Sequence, residues 1–168
     1  MKNLLLLVSL ALAFASPTFA QKTSLEWFHE GCDALLAHKI KESIPPYQKA
    51  LDLEKRERKL EKKLWYLLVQ NLAVSYGMTG EIKKSMAVLK YGIKHEPTYP
   101  VFYYTMACGY GEIDDEDNAI KYLRLAYKYK ANMLEGEPFP NPETDSSFAK
   151  LRNSEKFKKA IVEMKGRN

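Results

Sequence analysis

The sequence predicts an all-α fold of repeated helical hairpins, and three observations carry that prediction. Apolar residues recur at intervals of three and four, as in Trp65, Leu68, Leu72 and Tyr76 or in Leu89 and Ile93, which is the period of a helix and not of a strand. Among 168 residues there are only 8 Gly and 8 Pro, while 46% are hydrophobic and 28% charged, the composition of an ordinary globular chain. Small residues also form three triplets of one spacing, with steps of 12 and then 7: Gly31, Ser43, Ala50; Ala73, Ser85, Gly92; Ala107, Ala119, Ala126. Two helices of a hairpin approach closely only where both side chains are small, and large residues one turn away fill the flanks. Those flanks are present. Trp27, Val69 and Tyr103 stand four before the first small residue of each triplet, and Tyr47, Leu89 and Leu123 stand four after the second.

Met1 to Ala20 lies outside this pattern. Lys2 followed by the apolar run Leu4 to Phe14, with small residues at Thr18 and Ala20, reads as a cleaved export signal, so the mature chain is expected to begin at Gln21 and to be periplasmic or secreted. The run is too short to span a bilayer, and no Cys follows the cleavage site to take a lipid. The formal charge of the whole chain is +5, but Ser146 to Asn168 alone carries +5 and Gln21 to Asp145 carries −1. Basicity belongs to the tail, so the charge does not point to nucleic acid.

The three triplets define repeats over about 24–57, 66–99 and 100–133. They resemble the tetratricopeptide repeat family, whose 34-residue pattern runs W-x2-L-G-x2-Y, A-x3-F and P. Repeat two matches as Val69-x2-Leu72-Ala73-x2-Tyr76, Ser85-x3-Leu89 and Pro97; repeat three as Tyr103-x2-Met106-Ala107-x2-Tyr110 and Ala119-x3-Leu123; repeat one as Trp27-x2-Glu30-Gly31 and Ser43-x3-Tyr47. The resemblance implies a short right-handed α-solenoid of three tetratricopeptide-type hairpins, closed by a C-terminal capping helix. Glu30, Ala34 and Pro45-Pro46 depart from the pattern in repeat one, whose second helix is expected to start near Ser43 so that the prolines fall in its first turn.

The step from Gly31 to Ala73 is 42 and that from Ala73 to Ala107 is 34, so about eight residues are inserted between repeats one and two. The insert, Glu54 to Lys63, reads as a solvated helical extension with Glu54 and Arg58 as an i,i+4 ion pair. Asp114 to Asp117 resembles a calcium loop only superficially, since Ala119 occupies a ligand place, and it reads instead as acidic capping of a helix start. Residues 134–142 are a Pro-rich loop. Residues 143–168 form the cap, with Phe148 and Leu151 in a short turn and Phe157, Ile161 and Met164 on one face of a final helix begun by Asn153 or Ser154.

Catalytic chemistry has no visible carrier, so a non-enzyme without cofactor or metal is expected. His29 and Cys32 could supply two ligands on one helix face, but a structural zinc site needs four. Cys32 and Cys108 lie at equivalent places two repeats apart, about twice the ~8–10 Å spacing of packed helices, so they are expected as free thiols with no disulfide between them.

What remains is a surface. In the family the first helices line a groove that holds a peptide or a helix. Carried over position by position, that groove would present Leu25, Phe28 and Cys32 from repeat one, Leu67, Gln70 and Val74 from repeat two, and Val101, Tyr104 and Cys108 from repeat three. It is apolar with aromatic anchors, of which Phe28 and Tyr104 are the strongest. Members that grip a terminal carboxylate place Lys, Asn and Arg there, and Phe28, Cys32, Gln70 and Val74 depart from that set. The C-terminal helix could also fill the groove itself. The expected function is a protein-binding adaptor or scaffold, with weak self-association through its open ends possible in principle. The alternative is a peripheral envelope protein that binds anionic lipid or polysaccharide through a basic tail of Lys156, Lys158, Lys159 and Lys165.

Overall fold

The structure is a computed structural model that describes residues 21–166; the export-signal segment lies outside the described residues. It contains α1 (Ser24–Leu36), α2 (Ile40–Arg56), α3 (Lys62–Met78), α4 (Ile82–His95), α5 (Pro100–Glu112), α6 (Glu116–Lys128) and α7 (Glu155–Lys165), with no strand among the described residues. Helices α1 and α2, α3 and α4, and α5 and α6 pack as antiparallel hairpins, and each hairpin packs on the next. None of these helices is long and apolar enough to cross a membrane.

The hairpins share one turn chemistry. His38, Gly80 and Asp114 each take a left-handed backbone, with φ of 59°, 80° and 61°. In each turn the following amide donates back across six residues: Lys39 to the Ala34 carbonyl, Glu81 to Tyr76, Asp115 to Tyr110. This is the αL helix cap that consumes otherwise orphaned carbonyls. Entry to the helices is also encoded locally. Thr23 and Glu26 form a reciprocal capping box on α1, Pro100 opens α5, Asp115 accepts from the Asn118 amide at 3.1 Å, and Ser154 caps α7.

The tight hairpin contacts explain one departure in repeat one. A Cβ on Gly31 would sit 2.5 Å from the Tyr47 ring. Repeats two and three have Ala73 and Ala107 at that place and the smaller Leu89 and Leu123 opposite. The larger ring on one helix is matched by the smaller residue on the other, so the hairpin volume is conserved.

Two expectations about the first hairpin need correction. Helix α2 starts at Ile40, three residues before Ser43, so Pro45 and Pro46 lie inside the helix and not in its first turn. The αL turn at His38 fixes the reason: the Lys39 carbonyl immediately accepts the Glu42 and Ser43 amides, which starts the helix there. In the insert, Glu54 does not pair with Arg58. Its carboxylate is buried and accepts the Lys59 and Leu60 amides at 3.1 Å, closing the turn between α2 and α3. Arg58 instead lies over the Trp65 ring and pairs with Glu96 at 3.1 Å.

Glu96 ties this insert to the second repeat. It accepts from the Tyr66 hydroxyl at 2.8 Å and pairs with Lys62 at 3.2 Å as well as with Arg58. Burial pushes its carboxyl upward, but the hydrogen bonds from Tyr66, Lys62 and Arg58 outweigh burial and hold it below the ordinary 4.5. A folded pKa below the unfolded one contributes stability at neutral pH that is lost as pH falls through the folded value. Glu96→Gln is therefore expected to cost about 1 kcal/mol at neutral pH, with the difference from wild type closing as the pH falls through and below the ordinary carboxylate value of 4.5 in denaturant titrations. A gap that persists in acid would mean that the carboxylate charge is not what stabilises.

After α6 the chain retraces the path of a repeat without forming its first helix. Glu137 accepts from Tyr99 near the start of α5, Asp145 accepts from Tyr104 in its middle, and Lys150 donates to the Glu112 carbonyl at its end. Residues 137–150 thus run parallel to α5 in the place a further first helix would take. Helix α7 then runs parallel to α6, with Lys156 on Asp117 and Arg124 on Glu163. Phe157 and Ala160 stand 34 residues after Leu123 and Ala126. The cap is a fourth hairpin whose first helix has been replaced by an extended, Pro-containing strap.

Candidate functional site

The nine groove positions do not form one continuous surface. Gln70, Val74, Val101, Tyr104 and Cys108 line a cavity of about 520 Å³ between α3, α5 and the strap, which contributes Pro140, Asp145, Ser146 and Ser147. Leu25 lines a separate cavity of about 540 Å³ with Leu53, Leu60 and Leu64 at the N-terminal end. Leu67 and Cys32 are half-buried against the core.

The two expected anchors are corrected. Phe28 is 4% exposed and packs on Tyr47. Tyr104 is 3% exposed, enclosed by Phe139 and Phe148 and donating its hydroxyl to Asp145 at 2.9 Å. Both are core residues, so neither can enter a partner without the fold opening. Val101 is buried too, at 3%. Tyr104 is lost to the surface because the strap lies on it, and no spacing within the repeats announces that strap.

Exposure has moved to residues that the repeat register does not mark. Met78, at the end of α3, is 64% exposed and lines the cavity with Ile82. Gln70 lines it as well, and its Oε1 is buried with no donor among the described residues. Asp145 holds the cavity wall: its two oxygens accept the Ser147 amide at 2.9 Å and the Tyr104 hydroxyl at 2.9 Å, with the Cys108 thiol at 3.8 Å. The cavity therefore combines apolar walls with hydrogen-bond acceptors, and its lining contains Glu112 and Asp145 but no Lys or Arg. A site of that make-up offers no cation to grip a carboxylate.

Neither cysteine is bonded. Burial pushes the Cys108 thiol well above its ordinary range, with the Asp145 charge adding to it, and burial also raises Cys32, which accepts from the Tyr47 hydroxyl at 3.4 Å. Raised thiols are poorer nucleophiles than an ordinary cysteine, and Cys108 is the one of the two that lines the cavity. His29, the other member of the possible ligand pair, is exposed on α1, its ring tilted 58° against that of Phe28.

The tail is less free than its composition suggests. Lys156, Lys158 and Lys165 each sit against a carboxylate, of Asp117, Glu155 and Glu143 respectively, which leaves Lys159 as the member of the four without an ion pair among the described residues. Two of those carboxylates, Asp117 and Glu143, come from α6 and the strap, so folding offsets part of the tail's charge.

No protein-family model matches the chain, and no curated protein matches it. Among solved structures it is similar to the tetratricopeptide repeat domain of Sgt2 from Aspergillus fumigatus, with a TM-score of 0.57 and 16% identity, over 86% of this chain and 82% of that one. At that identity the likeness speaks for architecture, and it agrees with the helix pairing and the shared turns described above: the protein has a tetratricopeptide-type helical repeat fold.

Proposed function

We propose that this protein is an exported, non-catalytic adaptor that holds a segment of another protein in the cavity between α3, α5 and the strap. The observation that carries the reading is the cavity itself: about 520 Å³, open beside the exposed Met78, with apolar Val74 and Ile82 in its lining. Repeat folds present such surfaces for partner binding, and apolar pockets with a few convergent polar groups are the usual binding sites of proteins.

The test is a photo-crosslinking residue placed at Met78 in the native host, with one at Leu36 as the control, since Leu36 is 78% exposed but lies outside the cavity. Position 78 should trap a defined protein band in the exported fraction, on a chain whose mass begins at Gln21. Val74→Glu should abolish that band while leaving the circular dichroism of the helices unchanged. A band of equal strength from position 36, or one that survives Val74→Glu, would sink the groove reading.

A further inference from the structure

Unneutralised positive charge concentrates on the second helices, and on α4 it lies roughly 80° or more around the helix from Ile82 and Ser85, which line the cavity. Helix α4 carries Lys83, Lys84, Lys90 and Lys94 and no Asp or Glu in its 14 residues. Lys84 is tied to Glu81. Lys83, Lys90 and Lys94 are exposed and no ion pair involves them among the described residues. At 100° per residue, offsets of seven and eleven return to within about 20° of the starting direction, so these three form one straight stripe roughly 16 Å long. One repeat further on, α6 continues it: Lys121 and Lys128 stand 34 residues after Ala87 and Lys94, and they too have no carboxylate partner among the described residues.

The shape of this surface narrows what it fits. The free lysines do not line a cavity; the trough between α2 and α4 is lined by Lys55 and Lys84, whose charges are tied to Asp52 and Glu81. The exposed large apolar side chains are Leu25, Leu36, Met78, Ile113 and Val162, and none of them lies on α2, α4 or α6. An outward array of separate ammonium groups without apolar wedges suits a flat anionic surface met electrostatically, each lysine adding to the attraction within a Debye length. We infer that the α4 stripe, extended by α6, seats the protein on anionic lipid headgroups, in an orientation that leaves the cavity free.

Co-sedimentation of the chain from Gln21, which contains every described element, tests this with vesicles of phosphatidylcholine alone and with phosphatidylglycerol added. Binding is expected to the anionic vesicles only, and to fade as salt rises. The triple change Lys83→Gln, Lys90→Gln, Lys94→Gln should weaken it by about tenfold or more, whereas Lys156→Gln, Lys158→Gln, Lys165→Gln, the same change of net charge made on α7 and off the stripe, should change it less. Equal loss from both triples would overturn the assignment to α4. Failure to bind the anionic vesicles would overturn the lipid itself, and retention on an acidic polysaccharide in that case would give the stripe to a polymer.

Discussion

Phe102→Ala is expected to cost about 3–5 kcal/mol of unfolding free energy, as full truncations of buried aromatics do. Phe102 is 0% exposed and stands edge-on to Trp65, Tyr66 and Tyr99, at 6.0, 5.6 and 4.9 Å between ring centres. It also closes against Gly92, where an added Cβ would lie 3.0 Å from its ring. Truncation would leave a cavity at the joint of the second and third hairpins, lined by large rings that cannot collapse into it. The same joint carries the polar ties of the fold, since the Tyr66 hydroxyl reaches Glu96 and the Tyr99 hydroxyl reaches Glu137. For a chain of this size the loss corresponds to a fall in Tm of roughly 8–15 °C. A loss below about 1.5 kcal/mol in denaturant titration would show that the hairpins are less coupled than this packing implies.

Gly111→Ala should loosen the strap, at about 1–3 kcal/mol. A Cβ there would collide with the Ser147 carbonyl oxygen and come within 2.9 Å of Phe148 Cδ1. Backbone cannot swing aside as a flexible side chain can. The strap would have to lift, taking Asp145 off Tyr104 and opening one wall of the cavity. Amide exchange in residues 140–148 should rise sharply while α1 and α2 keep their protection. Gly109→Ala is the internal comparison: its new Cβ would meet the Met86 Cε at 3.2 Å, the far end of a flexible chain, and should be tolerated. Uniform acceleration of exchange throughout the chain would mean that the strap is not a separable element.

The two results bear on function differently. Phe102 supports the array on which any binding face depends, while Gly111 sets the wall of one cavity. A partner whose capture survives a lifted strap would bind elsewhere than between α3 and α5.

The hairpin architecture was legible in the chain because it rests on local and periodic features: small residues at steps of 12 and 7, helical apolar spacing, and helix starts such as the acidic run Asp114 to Asp117 and Ser154. Each is satisfied within one hairpin, so each can be read one repeat at a time. The composition of the proposed binding face was not legible to the same depth. Phe28 and Tyr104 occupy the register of groove residues, yet Tyr47 covers one, and Phe139, Asp145 and Phe148 cover the other. Those partners lie up to 44 residues away in the chain, and the strap that carries three of them has no repeat pattern to betray its path. The basic tail misleads for the same reason: its lysines look free in sequence and become paired only when α7 lies along α6 and the strap. Sequence by itself determined which residues make helices and which faces the hairpins press together, because these depend on neighbours within a few turns. Only the tertiary structure decided what is left exposed, because exposure and charge neutralisation are set by whichever distant segment packs last.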